Sequence, residues 1–165
     1  MEPAVWGLIG TVVGAFASIA TTYIQSRYAE ALRTVATKEE RDGRRRAFQR
    51  ETLIELQDVL HDLCRMVVRG HLEDNAHYRK VGAWGQNPLS DEVNEGQRVL
   101  RRRAMLLTSR VSNDELRQSI RASLETLVSF SMARSYEEAS HWHIQMNNES
   151  PKVLESIGHE LRSQY

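Results

Sequence analysis

The chain has 165 residues, enough for one domain of ordinary size. Lys plus Arg and Asp plus Glu both number 22, so net charge is zero and the chain is not a polyelectrolyte built for bulk electrostatic binding. One cysteine excludes an internal disulfide framework and a Cys-rich zinc site, and 3 Pro with 9 Gly leave little turn vocabulary for an all-β fold.

Pro3 to Ile24 is a run of 22 residues without a formal charge. As a helix it covers about 33 Å, matching the ~30 Å hydrocarbon core of a bilayer. Trp6 lies near one end, and Tyr23 and Tyr28 near the other, where amphipathic rings favour headgroups. The expectation is a retained single-pass anchor over residues 1–25. The alternatives are a buried core helix and a signal peptide, the latter lacking a basic leader. Arg27, Arg33, Lys38 and Arg41 follow the run and only Glu2 precedes it, which places the N-terminus outside and the body in the cytoplasm. Gly10, Gly14 and Ser18 recur every fourth residue and form a small-residue face for helix packing. Arg27 and Arg33 are the candidates for lipid headgroup contact.

Residues 26–47 read as a helical stalk. Ile24, Tyr28, Leu32 and Val35 keep a 3–4 spacing before charge takes over, and Gly43 is the expected bend or break. Residues 48–165 read as a bundle. Leu53, Leu56, Leu60, Leu63 and Val67 step by 3 and 4, with Ile54, Cys64 and Val68 widening the stripe. Cys64 belongs to that face and is expected to be a buried, inert thiol. Gly70 is the expected stop, and 71–95 is the least regular stretch, with a loop over 82–88.

A second helix begins near Ser90 or Asp91 and carries Leu100, Ala104, Leu107 and Val111. Ser112-x-x-Glu115 has the form of a capping box opening a third, with Leu116, Ile120, Leu124, Leu127 and Val128, running to about Met146. Ser150-Pro151 predicts the start of a short fourth, with Val153, Leu154, Ile157 and Leu161 inward. The fold class is therefore all-α: one N-terminal transmembrane helix continuing into a stalk, then a four-helix-type bundle.

Chemistry is sparse. Glu138-x-x-His141 has the spacing of carboxylate-bridged di-iron bundles, with Asp58-x-x-His61 as a partial second copy and Glu95 and Glu155 as nominal further carboxylates. Asp58 and His61 fall off the apolar stripe, so solvent is the simpler place for them. His141 and His143 point about 200° apart on a helix and do not share a metal. No phosphate loop, H-E-x-x-H or G-x-S-x-G is present. Arg44-Arg45-Arg46 and Arg101-Arg102-Arg103 each fan over about 200°, which forms no flat basic stripe for a groove.

The layout of WGLIGTVVGAFASIATTYI, a mixed-charge stalk and an arginine cluster opening RRRAFQRETLIELQDVL resembles a broad set of small actinobacterial proteins of unknown function. The preference for Arg over Lys, 19 to 3, fits that likeness. The resemblance implies an anchored helical body and transfers no activity or site residue. The expected function is a non-enzymatic interaction or scaffolding protein at the inner face of the membrane, self-associating as a homo-oligomer with an unidentified protein partner. No cofactor, metal or nucleic acid is called for. The alternatives are a ferritin-like metal-binding enzyme or sensor, and a membrane tether for nucleic acid.

Overall fold

The computed structural model describes the backbone of residues 2–85 and 89–165; within the first 31 positions, side-chain surroundings are described at 14, 18, 21–23 and 25–30. Four α-helices follow in order: α1 Glu2–Val81, α2 Asp91–Thr108, α3 Asp114–Ser131 and α4 Tyr136–Ser163. No strand occurs among the described residues. The chain divides into two compact units, Met1–Arg45 and Arg46–Tyr165.

In the second unit the 3–4 stripe of α1 does what its spacing requires. Leu53, Leu56, Leu60, Leu63 and Val67 are buried, joined by Val59, while Ile54 faces solvent. Against them pack Ala104 and Leu107 of α2, Leu116, Ile120, Leu124 and Leu127 of α3, and Met146, Val153 and Ile157 of α4. Cys64, Leu100, Trp142, Leu154 and Leu161 border this core half-buried.

Several boundaries differ from expectation, each for a physical reason. Gly43 is helical: its cost of about 1 kcal/mol falls among good helix formers, with an Arg44–Glu40 pair one turn apart beside it. Gly70 is helical too, and α1 continues over 71–81. It marks a close approach, since a Cβ there would stand 2.9 Å from Gln97 Nε2 and 3.3 Å from Val93 Cγ1 of α2. The helix ends instead at Gly82, whose φ of 73° is left-handed and whose amide donates to the Tyr78 carbonyl at 2.7 Å.

The cap of α3 is Asn113, not Ser112: Asn113 Oδ1 accepts from the Leu116 amide at 3.1 Å. The break expected at Ser150 falls earlier, between Ser131 and Tyr136, so α4 takes in residues assigned to the third helix. Pro151 sits inside α4. It removes one N–H and opposes the Asn147 carbonyl, but Asn147 is exposed and water can serve that group, while Met146, Val153 and Ile157 hold both sides of the proline in the core.

The membrane assignment is corrected. Among the described residues no helix is long and apolar enough to cross a membrane, so the single-pass protein with an outside N-terminus and a cytoplasmic body is not supported. Length and freedom from charge are weaker criteria than apolar content. At the described positions of the run, Gly14, Ser18, Thr21, Thr22 and Tyr23 are exposed, and the Thr22 hydroxyl donates to the Ser18 carbonyl at 2.9 Å. Gly10, the remaining member of the small-residue face, lies outside the described residues.

Candidate functional site

In the first unit the apolar residues of α1 at 3–4 spacing are uncovered. Tyr28, Leu32 and Val35 are 69%, 70% and 55% exposed. Steps of 4 and 3 put them on one face of the helix, with the small residues Ala29 and Ala36 beside them. The polar residues around the face satisfy one another locally: the Arg27 guanidinium lies over the Tyr23 ring, 5.6 Å from its centroid, and donates to its hydroxyl at 3.2 Å. Thr34 and Thr37 bond back to the Glu30 and Arg33 carbonyls at 2.9 and 2.8 Å. Gly14 and Ser18 are exposed, and no side chain approaches a Cβ built on Gly14 within 4 Å. With the span withdrawn, lipid contact at Arg27 and Arg33 loses its premise.

The arginine runs do not act as units. Arg44 pairs with Glu40, Arg103 with Glu55 of α1, and Arg101 donates to Ser131 Oγ at 3.4 Å, while Arg45, Arg46 and Arg102 point to solvent. Arg69 forms a bidentate pair with Glu92, at 2.7 and 2.8 Å, which ties α1 to the first turn of α2. Glu73 adds to this tie by accepting from both the amide and the hydroxyl of Ser90 at 3.0 Å.

Glu138 has a structural task. It is the third residue of α4, whose cap Ser135 accepts from the Glu138 amide at 3.1 Å, while Glu138 Oε2 accepts from the Arg134 amide at 2.8 Å. Ser135-x-x-Glu138 is thus a variant of the capping box, reaching one residue further back than usual. His141, Asp58, His61 and Glu155 are exposed, and Glu95 is held by Arg98 at 2.6 Å. The structure does not bring these residues together, and among the described residues no group of three or more His, Cys, Asp or Glu could hold a metal ion.

A different cluster was not anticipated. His71 and Tyr78 on α1 face His143 and Tyr136 on α4. The His71 and His143 rings are 5.4 Å apart, and the Tyr78 and Tyr136 rings stack at 5.5 Å with 10° between planes. Trp84 stands edge-on to both tyrosines at 5.8 Å, tilts against His71 at 5.6 Å, and donates from Nε1 to the Ala133 carbonyl at 3.0 Å. Phe130 completes the group, 5.1 Å from His71 and stacked on His143 at 5.4 Å. The signal was a mirrored spacing: His71 precedes Tyr78 by seven residues and Tyr136 precedes His143 by seven, which an antiparallel pair of helices sets side by side.

Cys64 is half-buried, its sulfur 3.7 Å from Ser150 Oγ. Burial pushes its thiol pKa up, and the Ser150 contact offsets part of that rise. Beside it a groove of about 770 Å³ runs between α1 and α4, floored by Met66, Val68, Met146 and Leu154. Comparisons with protein-family models, curated proteins and solved structures find no match to this chain.

Proposed function

We propose that the chain is a non-enzymatic helical interaction module that self-associates through the Tyr28, Leu32 and Val35 face of α1. The observation that carries this reading is the exposure of three large apolar side chains at helical spacing. A stripe of that kind is favourable in water only when another apolar surface covers it. The best partner is a second copy. Arg27, Glu30 and Arg33 carry both signs around the face, so Glu30 of one copy can pair with an arginine of another, and the small Ala29 and Ala36 at its edges let backbones approach. The charge-free run Pro3–Ile24 adjoins the face in sequence, and its Gly10, Gly14 and Ser18 spacing extends the small-residue surface offered to a neighbouring helix. The helical body then supplies whatever contact the assembly makes with other proteins.

Sedimentation velocity of the full chain beside a Leu32→Glu/Val35→Glu variant tests this. The wild type sediments as an oligomer at micromolar concentration, and the variant dissociates while keeping its helical circular dichroism. A monomeric wild type, or a variant with the same assembly state, removes the proposal.

A further inference from the structure

His71 occupies an unusual place for a titratable side chain. Its Nδ1 is buried without a hydrogen-bond partner, and its ring is enclosed by Trp84, Phe130 and His143 at 5.1–5.6 Å. A neutral imidazole tolerates this, because the tautomer protonated on Nε2 leaves only a lone pair on Nδ1. A charged imidazole does not. It would place an N–H with no acceptor against aromatic rings, with a second imidazole ring 5.4 Å away.

The surroundings offer no compensating charge. From α4 the facing titratable group is His143; from α3 and the segment after α1 the neighbours are Phe130 and Trp84, which do not titrate in this range. On α1 itself Asp74 lies one turn ahead. Its own burial and Glu73 hold its pKa up, and the opposing attraction comes from His77, not from His71.

We propose that His71 and His143 form an acid-sensitive latch, which ties the last turns of α1 and the Trp84 segment to α3 and α4 at neutral pH and releases them on mild acidification. The released contacts are those the two rings help to hold: the Trp84 bond to the Ala133 carbonyl and the Tyr78–Tyr136 stack. The sign follows from linkage. Burial first, and His143 second, lower the His71 pKa in the closed form. The open form therefore binds more protons, and the closed form loses its advantage as pH falls below the ordinary histidine value of about 6.5. Above that value the latch is fully engaged.

Hydrogen exchange of the full chain at pH 7.5 and 5.5, corrected for intrinsic rates, reads the latch directly. Protection of amides in 71–85 drops at the lower pH by up to about tenfold, the limit set when an ordinary imidazole of the open form alone takes up the proton, while 53–67 changes less. His71→Phe keeps the aromatic packing and removes the proton site, so it retains protection at pH 7.5 and loses the pH response. Should that variant misfold, His143→Phe serves: it removes the like charge and shrinks the response. Wild-type protection of 71–85 equal at both pH values overturns the latch, as does a response of undiminished size in a folded histidine variant.

Discussion

The side-chain amide of Gln49 brackets the turn before Ser112. Its Nε2 donates to the Arg110 carbonyl at 2.8 Å, and its Oε1 accepts from the Ser112 amide at 3.0 Å. Gln49 is itself buried on α1, so one side chain satisfies two backbone groups of the α2–α3 connection that the helices leave unpaired. Gln49→Ala strands both groups and leaves a void. The expected loss is about 2 kcal/mol, within the range for buried hydrogen-bond partners left unmade. Urea unfolding measures it, and an unchanged midpoint would mean that water replaces the amide without cost.

Gly70 and Gly43 separate local propensity from tertiary packing. Both lie inside α1, so Ala at either place gains about 1 kcal/mol of helix propensity. At Gly43 nothing lies within 4 Å of the added methyl, and Gly43→Ala is expected to raise helicity and stability by that amount. At Gly70 the methyl meets Gln97 Nε2 and Val93 Cγ1. Gln97 cannot swing away freely, because its Nε2 donates to the Met66 carbonyl at 3.2 Å and the side chain is buried. Overpacking of this kind costs about 1–3 kcal/mol, so Gly70→Ala is expected to destabilise by about 1 kcal/mol net. Thermal melts of the two variants should move in opposite directions.

The same contrast explains what could be read in advance. The apolar stripes of α1 to α3 and of the second half of α4, Leu53 to Val67 above all, were legible because burial imposes a period that the order of residues displays. Gly70 was misread as a stop because its reason, the approach of α2, lies 23 to 27 residues away in sequence at Val93 and Gln97. The break after Ser131 was hidden because Met132 and Ala133 prolong the apolar pattern, and Pro151 drew the boundary to itself. The aromatic cluster needs α1 and α4 paired antiparallel in one register, which no local window contains. The uncovered Tyr28–Val35 face was visible as spacing, but only coordinates show it exposed. The anchor reading rested on the length and missing charge of Pro3–Ile24, and among the described residues no helix is long and apolar enough to support it.

Ser135 and Glu138 give the start of α4 a measurable signature. Ser135→Ala removes the acceptor of the Glu138 amide, and loss of such a cap costs about 1 kcal/mol. Glu138→Gln keeps an oxygen for the Arg134 amide but surrenders the charge that favours a helix N-terminus, an effect of roughly 0.5 kcal/mol at an exposed site. The order of the two losses, serine above glutamate, is the expected result in chemical denaturation. A Glu138 variant more damaging than the serine variant would point to a role for that carboxylate beyond the cap.

Cys64 tests how tightly the α1–α4 contact is closed. Its thiol is half-buried and its pKa is raised first by burial, with Ser150 only partly offsetting the shift. The thiolate is the reactive form, so alkylation of the native chain at neutral pH is expected to be slower than in urea. The native rate should still be climbing above about pH 8.5, where an ordinary thiol begins to level off. Ser150→Ala removes the side-chain hydrogen-bond partner that lowers the thiol pKa, so it slows the native reaction further if access is unchanged, and speeds it if the serine was shielding the sulfur. Fast alkylation of the native wild type at neutral pH would show that the groove beside Met66 and Met146 opens often enough to expose the sulfur, and that α4 is held there less firmly than its buried Val153 and Ile157 imply.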